Sequence, residues 1–389
     1  MSDTAEIAAQ VSRVVGSWAV DKIRRPSPRT AQDIPTNIGA ISEEWLTAVL
    51  CAETPGACVT SWHSPGGSSG TSERAALRVT YNSVGQDAGL PTELFTKSSN
   101  SLQQRILLTA GGMLMGETGF YFRFRPRVQM EAPLAYWGAG DPNSGRSFLV
   151  FEDIAATKGA RFVDATEVLT RPQVEDVLTN LAVLHGTFWG SSDLAGIKST
   201  ATHIRNISGV VNMGGRSAVG LKKAADSIPP GMADKADRVW AGTLKSLQML
   251  HDGPQTLLHG DPHVGQAYVT GDGRMGLTDW QLILAGGWAH DVASFIGSSV
   301  EPQDRRAWER ELIGGYLDKL GNAGGRPPSF DEAFLAYRRS LFYYTAGWAF
   351  TYGRAWYQPE MQSESTCLAI LHRLTWAIED LDSFEAVGV

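Results

Sequence analysis

The stretch Leu257-Leu-His-Gly-Asp-Pro-His-Val-Gly-Gln266, followed by Leu277-Thr-Asp-Trp-Gln281, constrains this 389-residue chain more than any other. Between the two, Ala267-Tyr-Val-Thr270 and Met275-Gly-Leu-Thr278 read as strands, with Gly271-Asp-Gly273 as the turn of a hairpin. A hairpin brings its open ends together. Gln266 and Asp279 should therefore sit side by side, with Asp261 and His263 on the loop just before them. Oxygens from Gln266 and Asp279 can hold a hard divalent cation, which leaves Asp261 as a base or orienting group. A rival set uses the same letters: His259, Asp261 and His263 alternate at strand spacing and, with Asp279, would make a zinc or manganese hydrolase site. An Asp after a strand can also be only a helix cap. The rest of the chain has to choose.

With 43% hydrophobic residues the chain can bury a large core, and its length suits two or three domains. The net charge of −7, with both signs interspersed, leaves no electrostatic footprint for nucleic acid. No apolar run reaches the roughly 18 residues of a membrane helix, and no signal-peptide core stands at the N-terminus. Cys51, Cys58 and Cys367 are odd in number and lack metal spacing, which suits free thiols in a reducing, cytoplasmic setting.

Residues 1–50 read as an N-terminal helical extension. Ile7, Val11, Val14, Val15 and Trp18 form an amphipathic stripe, a proline-containing linker covers 22–35, and Ser42 caps a short helix to Leu50. Residues 51–152 read as a sheet-bearing unit. Pro65-Gly-Gly-Ser-Ser-Gly-Thr71 is a turn before a strand in which Ala75, Leu77, Val79 and Tyr81 alternate with more polar residues. Such a turn, centred on Ser68, Ser69 and Gly70, either closes over phosphates with backbone N–H groups or is a plain hairpin turn. It matches neither a Walker nor a Rossmann pattern.

Glu93-Leu-Phe-Thr-Lys97 is a strand ending in lysine, as solvated edge strands often do. Two helical stretches follow, 102–110 and 113–124, the second with Met113, Glu117, Phe120 and Phe124 on one face. A carboxylate on an apolar stripe needs a partner, and Lys97 is the nearest in topology. Strands at 134–137 and 147–152 complete a sheet of about five.

Residues 153–389 are mainly helical. Pro172 opens a helix with an apolar face of Val174, Val177, Leu178, Leu181, Leu184 and Phe188, beside which His185 reads as a structural histidine. Residues 201–230, polar and glycine-containing, suggest a mobile insertion over a substrate. Asp291 suits a cap for the helix that begins there. Two long helices, 331–357 and 362–384, end the chain. In the first, Tyr344, Trp348, Tyr352 and Trp356 recur every four residues, either as core or as a wall for an apolar acceptor.

The spacing of the loop has a known parallel. In protein kinases a catalytic Asp precedes a metal-binding Asn by five residues, and a second Asp beyond a hairpin holds the metal. Asp261 to Gln266 is five, and Asp279 takes the second place. His259-Gly-Asp-Pro-His263 resembles the aminoglycoside phosphotransferase and choline-kinase branch of the kinase-like superfamily. Asp279-Trp-Gln281 and Trp288-Ala-His-Asp291 look closest to its ecdysteroid-kinase-like members. Glu117-Thr-Gly-Phe-Tyr121 resembles the family's helix, and Phe151-Glu-Asp-Ile154 its connecting segment.

The resemblance implies an α+β, two-lobed protein-kinase-like fold and transfer of a phosphoryl group from ATP, with Mg2+, to a hydroxyl of a small molecule, and the aromatic stripe from Tyr344 to Trp356 would suit a partly apolar one. It implies Asp261 as the catalytic residue and Gln266 and Asp279 as metal ligands. Lys97, oriented by Glu117, would hold ATP phosphates; Ser68, Ser69 and Gly70 would cover them, and backbone groups at Glu152 and Ile154 would meet adenine. No Ala-Pro-Glu follows Asp279, which speaks against protein substrates. The family has Asn where this chain has Gln266, so a nucleotide-binding protein without transfer activity, or a fold reused for other chemistry, is the alternative.

Overall fold

The computed structural model describes residues 3–356, 358 and 360–389. The chain forms two compact units, Met1–Pro126 with Ala132–Ala160, and Arg127–Glu131 with Arg161–Val389.

The first unit carries helices α1 (Asp3–Arg24) and α2 (Glu43–Leu50), then strands β1 (Val59–Ser69) and β2 (Glu73–Tyr81). A one-turn helix α3 (Ser83–Asp87), strand β3 (Glu93–Ser98) and helices α4 (Leu102–Ala110) and α5 (Gly116–Gly119) follow. Strands β4 (Ala135–Asp141) and β5 (Arg146–Glu152) and the short α6 (Ile154–Lys158) complete it. The strands make one antiparallel sheet in the order β1-β2-β3-β5-β4. Lys97 therefore lies on the central strand and is buried, which removes its reading as an edge device.

The helix α2 begins where expected, with Ser42 Oγ accepting the Trp45 N–H at 3.2 Å. Trp45 is fully buried, meets Trp137 and Phe148 edge-on at 5.0 and 5.5 Å, and donates its indole N–H to the Asp33 carbonyl at 3.1 Å.

Three local expectations change. The glycine- and serine-rich stretch is strand through Ser69, with Ser68 opposite Arg74 and Ser69 opposite Glu73, so the turn itself is only residues 70–72. Gly67 serves a close approach of strands, since a Cβ there would lie 2.3 Å from the Arg74 carbonyl oxygen. Residues 86–91 read from their sequence as a turn, but 86–87 close the helix α3. In α1 the buried line runs through Val14 and the carboxylate of Asp21, while Val15 is exposed; the side chain of Ile7 lies outside the described ones.

The second unit contains a three-stranded sheet, β6 (Arg161–Phe162), β8 (Ala267–Val269) and β9 (Met275–Leu277), and a two-stranded pair, β7 (Thr256–Leu258) with β10 (Leu284–Gly286). Around them pack α7 (Arg171–Thr187), α8 (Thr200–Val211), α9 (Met213–Lys223), α10 (Ala236–Asp252) and α11 (Ala289–Ser299). The chain ends with α12 (Pro302–Asn322), α13 (Phe330–Arg339), α14 (Phe342–Tyr352), α15 (Glu364–Asp380) and α16 (Ser383–Val387). Every apolar residue expected on the inner face of α7 is buried.

Residues 201–230 are not a loose insertion. They fold as α8 and α9, and Gly220 lets α9 approach α14 so closely that a Cβ would stand 1.8 Å from the Ala349 carbonyl oxygen. The helix expected over 331–357 is two helices. Ser340 Oγ bonds back to the Ala336 carbonyl at 2.7 Å where α13 ends, and α14 stops at Tyr352, with residue 357 outside the described ones. The last helix ends at Asp380, and α16 restarts after Asp382 in a left-handed conformation. Among the described residues no helix is long and apolar enough to cross a membrane.

Replacing Trp45 with Ala deletes the ring on which α2, β4 and β5 meet. It should lower stability by about 3–5 kcal/mol, measured as a shift of the urea unfolding midpoint followed by tryptophan-independent circular dichroism.

Candidate active site

The loop between β7 and β8 has almost no regular structure of its own, so its backbone groups need other partners. Side chains supply them. Asp291, on the first turn of α11, accepts the N–H groups of His259 at 2.7 Å and Gly260 at 3.0 Å. The Gly260 carbonyl accepts the Tyr344 hydroxyl at 2.8 Å, and the Pro262 carbonyl accepts that of Ser294 at 2.9 Å. His259 Nδ1 accepts the Asp261 N–H at 3.3 Å, and His263 Nδ1 accepts that of Gly265 at 3.1 Å. Gly260 has a φ of +85°, and a Cβ there would lie 1.9 Å from the Leu282 carbonyl oxygen, so only glycine fits.

Two aspartates in this neighbourhood are treated in opposite ways. Asp291 is fully buried, and burial alone would raise its pKa. The hydrogen bond from His185 Nε2 at 3.1 Å and the electrostatics of the neighbouring histidines outweigh burial, and the carboxyl is held below the usual range. His185 is itself fixed, its Nδ1 accepting the Tyr316 hydroxyl at 2.7 Å. Trp288, not Asp291, occupies the N-cap of α11.

No hydrogen-bond donor meets the carboxylate of Asp261 among the described residues; His263 Nε2 is 3.9 Å away. Burial in the loop, with Asp279 and Asp291 nearby, pushes the Asp261 carboxyl well above its ordinary pKa. Its side chain is 31% exposed, so it can still meet a molecule from outside.

The hairpin closes as its turn signal requires, with Ala267 opposite Leu277 and Val269 opposite Met275. The Thr278 N–H bonds the Gln266 carbonyl at 2.9 Å, and Gln266 Nε2 lies 3.4 Å from Asp279 Oδ2. Asp279 takes a left-handed conformation, φ +63° and ψ +57°, at the start of a short 3-10 turn.

The hydrolase set is not assembled. His259 donates from Nε2 to the Thr278 carbonyl at 2.9 Å while its Nδ1 accepts from Asp261, so neither nitrogen is left for a metal. Burial holds the His263 imidazole at a pKa of about 3, neutral, with one nitrogen on Gly265. Among the described residues no three His, Cys, Asp or Glu side chains are grouped to hold a metal ion.

In the other unit Lys97 Nζ and Glu117 Oε2 form a buried ion pair at 2.7 Å. Glu117 opens the helical stretch that continues as a π-helical turn over Phe120–Phe124. Ser68 and Ser69 end β1, and the Gly70 N–H already bonds the Ser72 carbonyl at 3.0 Å. Glu152 is buried, accepting the Leu134 N–H and the Thr157 hydroxyl at 3.2 and 2.8 Å, with Lys158 Nζ at 3.3 Å. Ile154 begins α6, and its carbonyl accepts from Ala160 at 3.0 Å.

The aromatic stripe of α14 diverges. Tyr344 serves the loop, Trp348 meets His263 edge-on at 5.0 Å, Tyr352 bonds Glu364 at 2.7 Å, and Trp356 is exposed. Two partners were not foreseen from the sequence. The four-residue period marks the ring of Tyr344 and not its hydroxyl, and Ser294 carries no sequence signal at all.

A loop held by side chains around a raised aspartate, followed by a hairpin and a second acid, is equipment for group transfer. The chain belongs to the phosphotransferase enzyme family, whose model matches residues 114–336, more than half of its length. Membership, together with an antiparallel-sheet unit followed by a mainly helical one, bears out the α+β kinase-like fold expected from the sequence.

Among solved structures the chain is similar to a choline kinase from Streptococcus pneumoniae, at 15% identity over 84% of this chain and 94% of that one, with a TM-score of 0.45. It is similar to an ethanolamine kinase from Plasmodium vivax at 11% identity over 82% and 81%, TM-score 0.45. A spectinomycin phosphotransferase in complex with ADP and spectinomycin is 12% identical over 84% and 94%, TM-score 0.43. No curated protein matches the chain by sequence.

Asp291→Ala would leave two backbone N–H groups and His185 without their acceptor. The expected loss is about 3–5 kcal/mol of stability, read as a lower urea midpoint, with phosphotransfer abolished in whatever fraction stays folded.

Proposed function

We propose that the chain moves the γ-phosphoryl group of ATP to a hydroxyl of a small, partly apolar molecule. The observation that carries this reading is Asp261: an acid without a donor of its own, partly exposed, on a loop whose backbone is otherwise tied down. A carboxyl with a raised pKa is a stronger base than an ordinary one, suited to orient and accept the acceptor's hydroxyl proton. Lys97, held straight by Glu117, neutralises charge on the α- and β-phosphates. Ser68, Ser69 and Gly70 cover the phosphates, and the segment from Glu152 to Ile154 offers backbone groups to adenine. In this assignment residues 51–152 serve the nucleotide, residues 153–389 supply the catalytic loop and acceptor site, and residues 1–50 are an extension.

Asp279 and Gln266 fit a magnesium ion. Both offer oxygens, and magnesium keeps several waters and takes the rest of its ligands from phosphates, so it needs no all-protein cage. When bound, the ion supplies charge neutralisation at the phosphates. Catalysis in this class is positioning and charge stabilisation, which is what a rigid loop and a buried lysine provide.

One observation favours the second reading, nucleotide binding without transfer. The Gln266 amide nitrogen faces Asp279, so its oxygen must turn before it can serve a cation. Gln266→Asn separates the two: a large gain in turnover would mark the natural residue as a handicap, and a loss would mark a tuned site.

The assignment of Asp261 is tested by Asp261→Asn. Turnover should fall roughly 10²–10⁴-fold, the usual contribution of a positioned base, while ADP affinity by calorimetry stays at the wild-type value. Wild-type turnover in that variant would refute it.

A further inference from the structure

The tip of the β1–β2 turn is held by a residue from outside the hairpin. Gln104, buried on the first turn of α4, donates from Nε2 to the Gly70 carbonyl at 2.9 Å and to Ser69 Oγ at 3.3 Å. Its Oε1 accepts the N–H groups of Asn100 and Ser101, both at 3.1 Å. Two donors and two acceptor sites are thus all in use, shared between two segments of chain. Asn100 lies just past the end of the strand that carries Lys97. One amide therefore fixes Ser69 and Gly70 relative to the Lys97 strand before any ligand arrives.

Apart from the strand pairing up to Ser69 and the Gly70 N–H bond to the Ser72 carbonyl, the tip has little packing around it. Ser68, Ser69 and Gly70 are exposed, and a Cβ on Gly70 would touch nothing within 4 Å. Glycine loses more conformational freedom on ordering than any other residue, so a tip ending in Gly70 opens more easily when it is untied.

The helix that carries Gln104 is secured in turn from the N-terminal extension. Arg105, the next residue, is fully buried; its Nη1 bonds Asp21 Oδ2 of α1 at 2.7 Å, and its Nε bonds the Ser99 carbonyl at 3.3 Å. Arg146 of β5 also pairs with Asp21. Removing Asp21 would leave a buried guanidinium without its counter-charge, and α4 would have to move to rehydrate it. Asp21, Gln104 and Arg105 all precede the residues matched by the family.

We propose that Gln104 is a positioning residue for the glycine turn, and that α1 buttresses it through Asp21 and Arg105. The proposal rests on the reading of that turn as the phosphate cover, and it gives the N-terminal extension a part in nucleotide binding.

The test is amide hydrogen exchange of the full chain at residues 66–72, read beside ADP affinity and steady-state kinetics. In Gln104→Ala, exchange there should quicken roughly tenfold, the equivalent of one or two net hydrogen bonds, with weaker ADP binding, a higher KM for ATP and an unchanged KM for the acceptor. Gln104→Glu keeps the bonds to Asn100 and Ser101 but sets an oxygen against the Gly70 carbonyl. It should act alike with the α4 cap intact, which covers the case of an Ala variant that folds poorly. Asp21→Ala should quicken exchange at the same residues, whereas Ser101→Ala, which removes only the cap hydroxyl, should not.

Wild-type exchange at 66–72 in both Gln104 variants would overturn the proposal, and wild-type exchange in Asp21→Ala would overturn the buttress. Faster exchange with unaltered ADP affinity would leave the clamp standing and defeat the phosphate-cover reading instead.

Discussion

The carboxylate of Asp291 is the interaction on which the second unit depends. It is wholly buried, a position in which an unpaired charge costs several kcal/mol, and it stays charged because three donors converge on it. Those donors are the end of β7, the glycine that follows it and a histidine from α7. One anion thus ties α11, α7 and the catalytic loop together. The arrangement works in both directions: the N–H groups of a non-repeating loop find the acceptor they need, and the acid finds its neutralising dipoles. Neither side would be stable alone.

Asp261 shows what the same chain does with an acid it does not stabilise. It sits one residue beyond the pair of N–H groups that Asp291 takes, and its own N–H is spent on His259. Burial first, and then the two aspartates near it, disfavour its charged form, where that of Asp291 is favoured. The bonds on either side of it hold the backbone in place and so hold the acid in this environment. These bonds go to the backbone of the loop, and among the described residues none goes to the Asp261 carboxylate.

Features set by short-range chemistry were legible in the sequence. The hairpin followed from its glycine turn, the α2 start from Ser42, the α7 face from its period, and the Lys97 partner from the misfit of Glu117 on an apolar stripe. What could not be read were matters of tertiary approach. The glycines of 201–230 suggested looseness, but Gly220 is there because the Ala349 carbonyl of α14 passes within contact of it. Gly67 looked like a turn residue and is a strand residue whose Cβ would strike its neighbour. Glycine marks both freedom and crowding, and only the neighbour tells which. Ser340, which ends a helix midway through an unbroken apolar period, acts through a local bond that periodicity does not register.

The aromatic stripe carries that lesson into function. The residues at every fourth position share one face of α14 as far as Tyr352, and the first two of them, Tyr344 and Trp348, meet the loop. Periodicity nevertheless treats an aromatic ring as bulk. Tyr344 matters for its hydroxyl, which bonds the Gly260 carbonyl beside Asp261, and Trp348 for the edge it sets against His263. Both support the loop and neither is free to form a plain wall for a substrate. An acceptor pocket lined by this helix would have to be built from whatever polar and apolar surface those duties leave. The same trade governs Gln104, whose four hydrogen bonds leave it nothing with which to meet a ligand directly. Tyr344 and Gln104 spend their hydrogen bonds on the geometry of the fold, and a group whose bonding capacity is filled by the protein has none left for a ligand.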